Sequence, residues 1–384
     1  MSTIALGQSN LGRKKLLTAL TTGHLVNDFY LLVLPFLIPT FIATFNLSYF
    51  QAGLLALATT VFSGVMQPVF GFLADKYAIR KRIIIAGFCA FGLGLMLMGL
   101  APTYTAILAA CFVYGLGMTT FHAQSTNFLT TAFAETKGRA MGIHGIGGAI
   151  GNFLAPTLVA LLVTYIGWRS GVFVLMIPAI LVIVLLSVVL KERPKAAVEG
   201  FWQGISRNLI TLALVYSLIM MVFQSFLTFL PTYLVEQGSS ISQAGSISSL
   251  MLLIGFLSQP LGGYLYDKMG GRFVFIVSAV GAGSALWLFT FSQSIVFIIL
   301  VGAFTSSLFP VALTMSSEIS TGNRVGMSVG LVFGISSTLS AFASTVTGYV
   351  ADMLGLNLAF QFLVVLAAMA IGLALLLPRR KSGA

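Results

Sequence analysis

The chain has 384 residues, of which 58% are hydrophobic and 8% charged; its formal net charge is +11 and its mean hydropathy +1.02. That composition excludes a water-soluble enzyme or binding domain, whose surface needs far more charge. The basic excess is spread over short polar connections instead of one face or tail, which excludes a nucleic-acid footprint.

A helix that crosses a bilayer needs about 20 largely apolar residues. In chain order, 12 such spans are predicted, over about 16–44, 49–73, 82–100, 104–127, 139–165, 169–190, 208–235, 241–266, 272–291, 294–317, 324–351 and 357–378. The first is too long for the apolar core of a signal peptide and lacks a small-residue cleavage pattern, so it is expected to be a retained span. No separate soluble domain is expected. With the N-terminus in the cytoplasm, 19 of the 20 Lys and Arg residues fall on the cytoplasmic side and only Arg169 falls outside. That bias places both termini in the cytoplasm and the chain in the cytoplasmic membrane. Cys89 and Cys111 lie inside predicted spans, where packing is expected and a disulfide is not.

The first span is interrupted by Gly23-His24-Leu25-Val26-Asn27-Asp28. An acid near the bilayer centre costs about 2.5–3.5 kcal/mol on insertion scales and marks a wet, functional position. His24 precedes Asp28 by four residues, so a helix presents both on one face. His122 in the fourth span and His144 in the fifth complete the histidines. Imidazoles titrate near neutrality, and with Asp28 all three are candidates to carry a proton. His122 and His144 equally fit core residues that cap buried carbonyls. Asp28, Asn27, Gln124 and Asn152 are candidate substrate contacts. The same side chains suit a metal ion by ligand type. Only His24 and Asp28 are close in sequence, however, so no metal and no other cofactor is expected.

The longest polar connection, about 191–207, divides the chain into 1–190 and 208–384. The two parts repeat. Pro39-Thr40 recurs as Pro231-Thr232, Gln51-Ala52-Gly53 as Gln243-Ala244-Gly245, Gln67-Pro68 as Gln259-Pro260, and Asp75-Lys76 as Asp267-Lys268, all at an offset of 192. Later the offset becomes 185, pairing Arg139 with Arg324 and Gly145 with Gly330. Two six-helix halves in parallel repeat are a transporter plan with the substrate between them.

Gly71-Phe72-Leu73-Ala74-Asp75-Lys76-Tyr77-Ala78-Ile79-Arg80-Lys81 resembles the loop signature of the major facilitator superfamily, with Ala78 in place of the usual glycine; the second copy keeps it as Gly270. The His24-x-x-Asn27-Asp28 start, Gln67-Pro68-x-x-Gly71, Phe121-His122 and Gly147-Gly148-x-x-Gly151 are similar to the fosmidomycin resistance protein family. The resemblance implies an all-α membrane fold of 12 transmembrane helices in two pseudo-symmetric halves. It also implies that the first, fourth and fifth helices line a cavity. Where that family follows its histidine with Pro-Glu, Ala123-Gln124 stand here.

Asp75 ends the second span, and pseudo-symmetry lets it reach the start of the eleventh, where Arg324 sits. Asp267 is expected to meet Arg139 in the same way. A carboxylate there accepts from free helix N–H groups and pairs with arginine, which makes the two pairs a conformational latch. The glycines of the fifth and eleventh spans are read as close-packing positions. In the second half, the positions matched to His24 and Asp28 are Tyr216 and Met220. Phe223, Gln224, Phe309 and Ser336 are the candidate wall against substrate there.

These features predict a proton-coupled secondary transporter, not an enzyme, that exports a small organic or drug-like compound by antiport. The partners expected are a small-molecule substrate, protons and the lipid bilayer, with no nucleic acid, and the chain is expected to be a monomer. Uptake of a metabolite by the same machinery, and a non-transporting sensor or assembly protein of the same fold, remain as alternatives. No Lys or Arg is expected at mid-membrane depth, which favours a neutral, amphipathic or cationic substrate.

Overall fold

The structure, a computed structural model, describes residues 10–192, 206–320 and 325–378. Among these there are helices and no strand: α1 (Asn10–Leu31), α2 (Val33–Phe45), α3 (Tyr49–Tyr77), α4 (Arg80–Leu100), α5 (Tyr104–Gly117), α6 (Phe121–Ala132), α7 (Lys137–Ile166), α8 (Trp168–Val174), α9 (Met176–Val189), α10 (Arg207–Glu236), α11 (Ile241–Met269), α12 (Gly271–Ser292), α13 (Ile295–Ser306), α14 (Leu308–Ile319), α15 (Val325–Leu354) and α16 (Leu356–Ala374). Eleven spans among the described residues are long and apolar enough to cross a membrane. The remaining predicted span is α3, whose described apolar stretch, Tyr49–Phe62, is shorter.

Four predicted spans are each broken into two helices: α1–α2, α5–α6, α8–α9 and α13–α14. Three of the breaks share one cause. Pro35, Pro178 and Pro310 each stand four residues after the last residue of the preceding helix, Leu31, Val174 and Ser306. Proline offers no N–H to that carbonyl and its ring collides with it. Each proline is then the third residue of the next helix, where a missing N–H leaves no intrahelical bond unmade. The α5–α6 break instead follows Gly117, and the hydroxyls of Thr119 and Thr120 donate to the carbonyls of Leu116 and Gly117 at 2.8 and 3.1 Å. Backbone groups freed inside a membrane need partners. Tyrosines supply two: Tyr30 Oη donates to Leu175 O, and Tyr114 Oη donates to Tyr30 O, both at 2.6 Å.

The chain groups into two compact units, one joining the chain up to Leu34 with Val65 onward through the first repeat, the other joining Pro35–Gly64 with the second repeat. In the first, α1 packs along α7 and α9, and α4 packs on α5, α8 and α9. In the second, α10 packs along α15 and α16, and α12 on α13 and α16. A buried apolar cluster including Tyr216, Phe275, Met315 and Val332 fills part of the second unit. The connection expected at 191–207 lies largely outside the described residues.

Candidate functional site

The site grows from the packing of α1 on α7. The α7 glycines face α1 at very close range. A Cβ on Gly147 would collide with Thr21 O, and one on Gly151 with Leu25 O. A Cβ on Gly148 would lie 2.6 Å from Asp28 Oδ2 and 2.7 Å from His24 Nε2. Small residues that let helix backbones approach are the usual basis of helix packing in membranes; here the space at Gly148 is taken by the two polar side chains. Gly142 and Gly145, on the same helix, have nothing within 4 Å of that position, so the close-packing expectation holds for only part of the run.

Asp28 is buried, 8% exposed, and both its oxygens are engaged. Oδ2 lies 3.4 Å from His24 Nε2 and accepts from Asn152 Nδ2 at 3.2 Å. Oδ1 accepts from Asn27 Nδ2 at 3.1 Å and lies 3.5 Å from His122 Nε2. The same Asn27 Nδ2 is 3.2 Å from His122 Nε2, so it bridges acid and ring. The His24 ring stacks on His144, with centroids 4.2 Å apart, and meets His122 edge-on at 5.2 Å. Phe121 lies against His24 and His144 at 5.9 and 6.0 Å and forms an apolar wall.

Hydrogen bonding assigns the His24 tautomer. His24 Nδ1 is 2.8 Å from the His144 carbonyl, which only accepts, so Nδ1 carries a hydrogen. Nε2 is then the atom free to gain or lose a proton, and it faces Asp28. A neutral ring would turn its Nε2 lone pair on the carboxylate, two acceptors face to face, unless a proton lies between them. A proton between the two atoms, on the imidazole or on the acid, removes that opposition. His144 is 2% exposed, its Nε2 is 3.3 Å from Ser125 Oγ, and its Nδ1 has no hydrogen-bond partner.

His24, Asp28 and His122 place one ligand atom each within 4.8 Å of one another, so by type and distance they could surround a divalent ion. The amide hydrogens of Asn27 and Asn152 already point at the carboxylate oxygens, however. Those hydrogens take up carboxylate lone pairs that a metal ion would need.

A family model for the Major Facilitator Superfamily matches residues 20–240 and 212–384. The chain belongs to the Major Facilitator Superfamily. It is 27% identical over 366 residues to the fosmidomycin resistance protein of Escherichia coli (strain K12), covering 90% of this chain and 88% of that one. It is 29% identical over 380 residues to the MFS-type transporter YfnC of Bacillus subtilis (strain 168), covering 92% and 90%. A solved bacterial homologue of the human lysosomal transporter Spinster superposes with a TM-score of 0.84 at 18% identity, covering 96% and 97% of the two chains. The nucleoside transporter NupG superposes with a TM-score of 0.81 at 14% identity, covering 94% and 99%. The fold is thus the 12-helix major facilitator plan expected from the repeat, and the chain is a multi-pass membrane protein of a transporter family.

Within that family fold, the structure brings together His24, Asn27, Asp28, His122, His144 and Asn152. Gln124 does not join them; it is 2% exposed with its Nε2 unpartnered. Its neighbour Ser125 reaches His144 instead. Ser125 was not singled out in the sequence, although it lies one helical turn after His122; Gly148 was read there as a close-packing position, and the structure sets the side chains of His24 and Asp28 against it. In the second unit Ser336 is buried and Phe309 is 47% exposed, its ring 5.3 Å from that of Phe333. Phe223 and Gln224 are half-buried on α10. Of the latch residues, Arg324 and the side chain of Asp75 lie outside the described residues.

Proposed function

We propose that the chain is a proton-coupled secondary transporter that exports a small organic compound in exchange for protons. The observation that carries this is the buried His24 Nε2–Asp28 Oδ2 approach at 3.4 Å, a geometry that calls for a proton. A membrane-buried acid with two imidazoles at hand is a proton relay by chemistry. His122 is the most open of the three histidines, with 35% of its side chain exposed, and is the exchange point with solvent. Asn27, Asn152 and Gln124 supply substrate contacts in the first repeat, and Gln224, Phe223, Phe309 and Ser336 in the second.

Export is favoured over uptake by the name of the E. coli relative, a resistance protein; the sialic acid transporter NanX of the same organism, 24% identical over 392 residues, shows that other cargoes occur among relatives. The moving halves are 1–190 and 208–384, joined by the 191–207 linker. The pairs Asp75–Arg324 and Asp267–Arg139 latch the cytoplasmic side. The protein is a monomer in the cytoplasmic membrane with both termini inside.

The test is flux of a panel of neutral, cationic and anionic solutes in proteoliposomes under an imposed pH gradient. Gradient-dependent flux that Asp28→Asn abolishes is the expected result. Full proton-coupled flux in Asp28→Asn removes the assignment of the coupling residue.

A further inference from the structure

The start of α3 is held by side chains from two other helices. The first four N–H groups of a helix lack intrahelical partners. In α3 all four at the start are satisfied. Gln51 N donates to Ser48 Oγ at 3.2 Å, and Ser48 N donates to Gln51 Oε1 at 3.0 Å. Tyr49 N and Phe50 N donate to the two oxygens of Asp352, at 2.7 and 2.9 Å. Asp352 is near the end of α15, some 300 residues away in sequence. Tyr49 Oη also donates to Glu236, the last residue of α10.

The backbones beside this contact are nearly touching. A Cβ on Gly348 of α15 would collide with Tyr49 O, and one on Gly53 of α3 would lie 2.7 Å from Thr345 Cα. Thr345 Oγ1 donates to Gly53 O at 3.0 Å. The equivalent start of α11 has its own capping box, Ser240 with Gln243, and the position that matches Asp352 at the 185 offset is Gly167. The acid is thus an addition to one copy: Ser48 and Gln51 satisfy each other's N–H groups, and Asp352, from α15, takes the two between them, so part of the α3 cap is supplied by another helix.

We propose that Asp352, Glu236 and Tyr49 form a releasable clamp that closes the end of the bundle opposite the N-terminus. It ties a first-repeat helix to second-repeat helices, and it lets go each time that end opens. The clamp rests on the transport reading for its purpose, but its contacts are observed independently of that reading. Charge-assisted bonds to backbone N–H are strong enough to hold a closed state and few enough to be broken in a cycle. The clamp lies at the other end from the latch expected at Asp75 and Asp267, and uses the same chemistry of a carboxylate on a helix start.

The test uses the full chain in liposomes, with Cys89 and Cys111 replaced by serine. Ser344→Cys, at a position 1% exposed beside the clamp, reports opening through its reaction with a membrane-impermeant maleimide. Asp352→Asn is expected to raise the labelling rate about tenfold, the effect of losing one charge-assisted bond. Tyr49→Phe, which removes only the bond to Glu236, is expected to raise it less, and Asp352→Glu to restore closure. Thermal unfolding near that of the parent separates opening from misfolding, and Tyr49→Phe serves if Asp352→Asn does not fold. Labelling unchanged in both variants overturns the clamp. Phe50 and Tyr349 have rings 6.2 Å apart on the exposed side of this seam. Linking Phe50→Cys to Tyr349→Cys with a short reducible thiol reagent is expected to stop flux reversibly; unaltered flux overturns the release step. A parent protein with no flux for any solute, but with clamp-dependent labelling, would remove the transport reading and leave the clamp standing.

Discussion

The two repeats place different chemistry on matched positions. In the first, His24, Asp28 and Gly148 meet where α1 crosses α7. In the second, the matched positions are Tyr216, Met220 and Phe333. There the rings of Tyr216 and Phe333 pack 5.2 Å apart, and Met220 and Phe333 both lie against the buried apolar cluster. One copy fills the crossing with rings and a thioether. The other replaces the filler with glycine and puts an acid and an imidazole in the space. The helix frame is shared, and the chemistry comes from what is left out at Gly148 as much as from what is added at Asp28.

That contrast can be broken from either side. The largest effect is expected for Met220→Asp, which puts an acid into the second copy without histidine, asparagine or glycine partners. It is expected to lower stability by about 2.5–3.5 kcal/mol, the insertion cost of an uncompensated acid, read by thermal unfolding in detergent. Equal stability would mean that the first repeat's partners are not what makes Asp28 tolerable. Next is Gly148→Ala, whose methyl must displace His24 or Asp28. It is expected to cost about 1–3 kcal/mol as an overpacked contact and to uncouple flux from the pH gradient. In contrast, Phe333→Ala is expected to lower stability and leave coupling intact. Coupling that survives Gly148→Ala would show that the close approach is packing alone. The smallest effect is expected for Ser125→Ala, about 0.5–1.5 kcal/mol for one hydrogen bond, seen as a small drop in melting temperature with flux nearly unchanged.

Much of the frame was legible in the sequence. The apolar runs mark the spans, because a bilayer demands them, and the repeat offset gives the two-copy plan. His24 and Asp28 were legible as a pair because four residues make one helical face. The convergence of His122 and His144 on that pair was not, since it depends on α6 and α7 packing against α1 across about 100 residues of chain, and no local spacing encodes it. The ring that caps a buried carbonyl is that of His24, on His144 O; the His144 ring is buried beside Ser125, and His122 stays half-open. The helix breaks were written in Pro35, Pro178 and Pro310, but an apolar run hides them, because hydropathy does not register a missing N–H. Nothing in the sequence singles out Asp352, because its contact with Tyr49 and Phe50 joins helix ends some 300 residues apart.

The central claim is that Asp28 and His24 share a proton which comes and goes during transport. Infrared difference spectroscopy of the reconstituted protein, between acidic and alkaline buffer, tests it most directly. The expected result is a carboxylic-acid C=O band that changes with pH, disappears in Asp28→Asn and moves in His24→Gln. A spectrum with no Asp28-dependent change over the pH range in which the protein transports would contradict the claim.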